Sequence, residues 1–137
     1  MILYTVAMDT SLGALLAKHN DQGKENAMYY LSQTLVGVEL RYTTMEKVCF
    51  ALVFALQKLK HYLGVHVIHL ISKANPLKYI LSRPVLTERL VRWPVILHQF
   101  NIKYVPQKAV KGQALVDFLA AHPVPDYSPL ILDLPDE

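Results

Sequence analysis

Between Thr43 and Gly64 the apolar residues Met45, Val48, Cys49, Leu52, Val53, Leu56, Leu59 and Leu63 recur at helical intervals, as one buried face of a long helix requires. Thr43 or Thr44 can cap its start and Gly64 its end. What flanks this helix restricts the fold. Before it, Ile2 to Met8, Leu12 to Ala17 and Asn26 to Ser32 read as strands, separated by the turn-prone Asp9-Thr10-Ser11 and His19 to Lys24. Strands this close together form an antiparallel meander. After the helix, Val65 to Ile71 alternates around His66 and His69. A strand reached through a long helix joins its sheet in parallel.

The rest of the chain continues the alternation. Pro76 to Leu81 reads as a short helix, Thr87 to Phe100 as another, Ile102 to Val105 as a fifth strand and Ala109 to Ala121 as a last helix. Pro94 interrupts the second of these helices, and an interior proline costs about 3 kcal/mol, so a kink or split is expected near Trp93. The expected fold class is therefore α/β, a five-stranded mixed sheet. Three antiparallel strands are followed by two that crossover helices reach, and the helices pack on the sheet. Residues 1–122 form one domain, and 123–137, where Pro123, Pro125, Pro129 and Pro135 lie among acids, form an acidic proline-rich tail or linker.

Composition limits the function classes. The chain's 137 residues, 53% of them hydrophobic, are enough for one core. Asp9, Lys18, Glu46, Lys58 and Lys73 break every apolar run before it reaches the length of a membrane span. The opening MILYTVAM carries no basic leader and reads as a strand. Cys49, the single cysteine, reads as a core thiol in a reducing compartment. From Glu39 to Gly112 there are twelve Lys or Arg against three acids, whereas Pro123 to Glu137 holds four acids and no base. A basic middle suits nucleic acid, and it equally suits solvated helix faces. His66 and His69 lie three apart on a strand and face opposite sides; with His61 they offer no zinc set, because no Cys or carboxylate completes one.

Several short segments follow one another in a specific register: Tyr29-Tyr30-Leu31-Ser32, Glu39-Leu40-Arg41-Tyr42, Ala51 to Ala55, Lys58 to Tyr62, Tyr79 to Pro84, Tyr104 to Lys108 and Lys111 to Leu115. Together, from about Ile2 to Pro123, they resemble the RNase H-like domain that follows reverse transcriptase in the polyprotein of plant gypsy-type long-terminal-repeat retrotransposons. The resemblance implies an RNase H-like fold and an endonuclease chemistry in which four carboxylates hold two Mg²⁺ ions against the scissile phosphate of an RNA–DNA hybrid. Hard divalent ions require oxygen ligands, and two of them close together require several negative charges.

Matched residue by residue, the family's Asp in the first strand falls at Val6, its helix Glu at Val48 and its Asp after the fourth strand at Lys73. The last Asp, on the final helix, is Asp117. Neighbours do not replace the missing groups. Asp9 points to the face opposite Val6 if the strand extends that far, and Glu46 lies roughly 200° around the helix from Val48. Asp117 is open to three readings: a relic, a surface acid or the ion-pair partner of Lys73.

The resulting expectation is a catalytically degenerate RNase H-like module that needs no cofactor, although Mg²⁺ serves the family. It resembles the domain that in some plant elements lies between reverse transcriptase and a second, intact RNase H, and it would act as a tether. Its partners are an RNA–DNA hybrid, the adjacent reverse transcriptase and a downstream RNase H, with no membrane. Its setting is intracellular, in a cytoplasmic particle or the nucleus. Lys58, Lys60, Lys78, Arg83, Arg89, Arg92, Lys108 and Lys111 are the expected phosphate contacts. Tyr62, Tyr79, Trp93, Phe100 and Tyr104 are read mostly as core. The alternatives are an active or weakly active metal-dependent RNase H, and a host-adopted protein-interaction domain.

Overall fold

The computed structural model describes residues 1–82, 91–106 and 127–133. Three strands open the chain, β1 (Ile2–Ala7), β2 (Ser11–His19) and β3 (Glu25–Thr34), and pair antiparallel in sequence. Two tight turns make this possible. Met8 N–H donates to Ser11 O across the first, and in the second the Asn20 side-chain oxygen accepts from the backbone N–H groups of Gln22 and Lys24. Gly23 supplies the positive φ of 79° that closes this second turn.

Helix α1 (Thr44–Lys58) begins where the sequence places it. The Thr43 hydroxyl accepts from Glu46 N–H at 3.1 Å, and the Glu46 carboxylate accepts from Thr43 N–H at 2.8 Å, a reciprocal capping box. Replacing Thr43 by Ala is expected to cost about 1 kcal/mol in urea denaturation, whereas Thr44→Ala one residue further on, inside the helix, is expected to cost nothing or gain a few tenths. The single helix expected up to Gly64 is instead interrupted at Leu59, whose φ of −107° and ψ of 20° separate α1 from the one-turn α2 (Lys60–Leu63). Both Leu59 and Leu63 remain buried across the break.

After α2 the chain enters β4 (Val67–Ser72), which lies parallel to β1, and then α3 (Pro76–Ser82). Helix α4 (Trp93–Leu97) starts at the tryptophan, with Pro94 in its first turn, where a missing N–H breaks no hydrogen bond. The interruption expected near Trp93 is thus resolved as a helix start. Next comes β5 (Asn101–Pro106), parallel to β4. The sheet order is β5-β4-β1-β2-β3-β6, with β6 (Tyr127–Asp133) antiparallel to β3.

The mixed sheet and its crossovers are those expected, with one correction. A sixth strand lies inside the stretch read as a tail. Its Pro129 argued against a strand, but β6 is an edge, so only one side of its backbone has to serve the ladder. The expected helix over 109–121 lies outside the described residues.

The sheet is apolar on both faces. On one, Leu3, Leu12, Ala14, Leu16, Leu31, Ile68 and Leu70 pack with Cys49, Leu52, Val53 and Leu56 of α1 in a single cluster. Residues 51 to 56 of α1 are all buried, so this helix lies within the core rather than upon it. Phe50 stacks on Trp93 with ring centroids 6.0 Å apart, and Tyr42 meets both rings edge-on, which holds α4 against α1. Of the aromatics read as core, Trp93 is buried and Tyr79, Phe100 and Tyr104 pack against the same cluster, whereas Tyr62 is exposed and hydrogen-bonded to Tyr29. On the other face Ile2, Tyr4, Val6, Leu15, Ala17, Ala27, Tyr30 and Ile71 form a second buried cluster. There burial raises the pKa of Tyr4, whose hydroxyl donates to the Glu25 carboxylate, and pushes Tyr30 up to about 12.

Candidate functional site

The parallel strands β1 and β4 end side by side, and the first two turns of α1 lie by the carboxyl end of β1. In open α/β sheets such a crevice is where ligands bind. Here it forms a cavity of about 280 Å³ lined by Thr5, Val6 and Ala7 of β1, by Thr44, Met45, Val48 and Ala51 of α1, and by Ser72, Lys73 and Ala74. Val6, Val48 and Lys73, far apart in sequence, therefore share one cavity. These are three of the four positions at which the resemblance expects carboxylates. The fourth, Asp117, lies outside the described residues.

The surroundings of the cavity are firmly held. The Ser72 hydroxyl donates to Ala74 O at 2.6 Å, and the Tyr104 hydroxyl donates to Ser72 O at 3.0 Å, so the backbone on either side of Lys73 is anchored from within the loop and from β5. The Asn75 side chain accepts from Lys78 N–H at 3.2 Å and starts α3 immediately afterwards. Lys47, which sequence reasoning passed over, reaches from α1 to donate to Asp9 O at 2.7 Å and ties the helix to the β1–β2 turn. Only its adjacency to Val48 could have drawn notice. Beneath this level Cys49 is fully buried, its thiol donates to Pro76 O at 3.8 Å, and burial, with a smaller contribution from the Glu46 charge, pushes its pKa up to about 12. Such a thiol is packing, not a nucleophile.

The carboxylates nearest in sequence do not line the cavity. Strand β1 ends at Ala7, so Asp9 sits exposed in the turn, and the condition for placing it on the opposite face does not apply. Glu46 is occupied by the capping box. The donors present do not suit a pair of divalent ions: among the described residues the cavity offers aliphatic side chains, hydroxyls and one ammonium, where hard cations require carboxylates. No group of three or more His, Cys, Asp or Glu that could hold a metal occurs among the described residues.

The basic residues singled out from sequence are spread over the surface. Lys58 and Lys60 are exposed at the far end of α1, with Lys58 roughly 15 Å along the axis from Val48 at ~1.5 Å per residue. Lys78 is exposed on α3, and Arg92 is exposed just before α4. Arg83, Arg89, Lys108 and Lys111 lie outside the described residues.

A mixed sheet in the order β5-β4-β1-β2-β3, with α1 crossing from the meander to β4 and a crevice at the carboxyl ends of β1 and β4, defines an RNase H-like fold. Solved structures share it. RNase H1 from the archaeon Halobacterium salinarum matches with a TM-score of 0.58 at 18% identity, over 88% of this chain and 94% of that one. A foamy viral protease–reverse transcriptase in complex with an RNA/DNA hybrid matches with a TM-score of 0.60 at 20% identity, over 82% of this chain and 16% of that one. The chain belongs to the family of RNase H-like domains found in reverse transcriptase, which residues 1–100 match. It is 30% identical over 133 residues to the retrovirus-related Pol polyprotein from the Drosophila melanogaster transposon opus, covering 96% of this chain and 13% of that polyprotein. It is thus an RNase H-like domain of the retrotransposon and retrovirus Pol type, and it spans a small part of its relatives' length.

Proposed function

We propose that this chain is a catalytically inactive RNase H-like domain of a plant gypsy-type retrotransposon polyprotein, which binds an RNA–DNA hybrid and positions it beside reverse transcriptase. One observation carries the reading. Val6, Val48 and Lys73 meet in one cavity, so the losses of acidic groups fall together in the place where a two-ion nuclease concentrates its negative charge. Scattered substitutions would leave such a site partly intact. These three leave Asp117 as the sole family carboxylate, and one carboxylate cannot offset the repulsion of two divalent ions.

Hybrid binding is supported by the family, by the foamy viral relative's complex with an RNA/DNA hybrid and by the basic middle of the chain. Lys58, Lys60, Lys78, Arg83, Arg89, Arg92, Lys108 and Lys111 serve as phosphate contacts, which confer affinity without reading sequence. Residues 1–122 carry most of the domain, and the acidic proline-rich stretch 123–137, which adds β6 to the sheet edge, serves as its connection to the rest of the polyprotein.

The test is direct. The purified chain is incubated with a labelled RNA–DNA hybrid in Mg²⁺ and, separately, in Mn²⁺. The expected result is retarded but uncut RNA, with log K falling linearly as log salt rises. RNA cleavage that disappears in Asp117→Asn would establish an active nuclease instead. Absence of hybrid binding at low salt would favour a protein-interaction domain.

A further inference from the structure

The mismatch between the family's cation chemistry and this cavity bears on what the cavity accepts. Its only charged lining group among the described residues is the Lys73 side chain, which is exposed. Beside it Val6, Met45, Val48 and Ala51 give the cavity a largely apolar lining, against which the uncharged part of a ligand can pack while its charge meets the ammonium at the rim. The loop that carries Lys73 is anchored on both sides by the Ser72–Ala74 and Tyr104–Ser72 hydrogen bonds, so the base of the side chain is held in place beforehand. An anchored cation over an apolar cavity of about 280 Å³ selects an anion attached to a partly apolar body. A phosphodiester with its flanking sugar has that chemistry.

We infer that Lys73 takes the place of the metal pair as the group that meets the nucleic-acid backbone. Its ammonium donates directly to a non-bridging phosphate oxygen, while the sugar lies against Val48 and Met45. The site has changed from one that binds phosphate through divalent cations to one that binds it without them. This inference rests on the hybrid-binding reading above and adds the place and the ion independence of the contact. No bond is made or broken.

The experiment is fluorescence anisotropy with the full 137-residue chain and a labelled RNA–DNA hybrid, as a salt titration at matched ionic strength in Mg²⁺ and in EDTA. The expected Kd is the same within twofold in the two buffers. Lys73→Gln raises Kd by about tenfold and reduces the slope of log K against log salt by about one, the signature of one lost phosphate contact. Lys73→Glu weakens binding further, and Lys73→Arg keeps the slope. Lys18→Gln, an exposed change at the end of β2 that lies beside the start of β1, leaves the slope unaltered. Because Lys73 is exposed, these variants fold, as circular dichroism would verify.

The inference is overturned if Lys73→Gln matches the wild type in Kd and slope, or if EDTA weakens binding more than tenfold. In either case the hybrid-binding reading stands. If the wild-type chain binds no hybrid at all, both fall together.

Discussion

Installing carboxylates at the three positions where the resemblance expects them, as Val6→Asp, Val48→Glu and Lys73→Asp in one chain, is expected to create a divalent-ion site and with it RNA cleavage in Mg²⁺. The expected rise is at least about a thousandfold over the parent chain, since a metal pair supplies both the activated water and the neutralising charge. The expectation follows from the placement of the three residues, which already line one cavity between the sheet and α1, with Asp117 at the fourth position where the resemblance expects an acid. The intermediate variants should be informative. Val6 is buried, so an aspartate there without a cation costs several kcal/mol.

The triple variant should therefore be destabilised in EDTA and recover in Mg²⁺. At a concentration a hundredfold above its Kd, the ion returns about 2.7 kcal/mol, or roughly 8–10 °C in Tm for a chain of this size. The parent chain should show no such ion dependence. Calorimetry in the two buffers checks this separately from any nuclease assay. A triple variant whose Tm ignores Mg²⁺ would mean that the cavity does not hold its walls at ligand distance.

The second large effect concerns the core that positions this cavity. Leu52 is fully buried in the middle of α1 and belongs to the cluster that joins the helix to the inner face of the sheet. Leu52→Ala removes buried apolar surface and leaves a void that the surrounding strands can only partly close, at an expected cost of 3–5 kcal/mol. A domain with a total stability of about 5–15 kcal/mol is brought near its unfolding threshold by such a change. Val95→Ala, on the exposed side of α4, should fall within about 0.5 kcal/mol of the parent. Urea denaturation of both variants is the measurement. A loss below 1 kcal/mol at Leu52 would show that α1 is not the element on which the sheet is packed.

Much of this architecture was legible along the chain because its signals are local. The recurrence of Val48, Cys49, Leu52, Val53 and Leu56 is a helix face by itself, and Thr43 with Glu46 three residues on is a helix start by itself. Pro94 announced a discontinuity, although not that it would become the first turn of α4. The break at Leu59 was not legible: neither Gly nor Pro occurs at 57–61, and the apolar spacing runs through it undisturbed. Strand β6 was missed for the opposite reason, because the sequence carries a clear counter-signal in Pro129 that an edge position makes harmless. Whether a position is central or at an edge depends on which strand lies beside it, and here that neighbour is β3, about a hundred residues earlier.

The amino-acid sequence alone determined the first five strands, the long helix that follows the meander and their order, and it puts Val6, Val48 and Lys73 where the resemblance expects carboxylates. Each of these rests on interactions within a few residues or on the residue types themselves. Only the tertiary structure decided that Val6, Val48 and Lys73 line one cavity, that Asp9 and Glu46 are committed to a turn and a cap, and that Lys47 reaches the β1–β2 turn. The parallel pairing of β1 with β4 and the packing of α1 on β1 and β2 create that meeting point. These are contacts between segments tens of residues apart, and no periodicity along the chain encodes them.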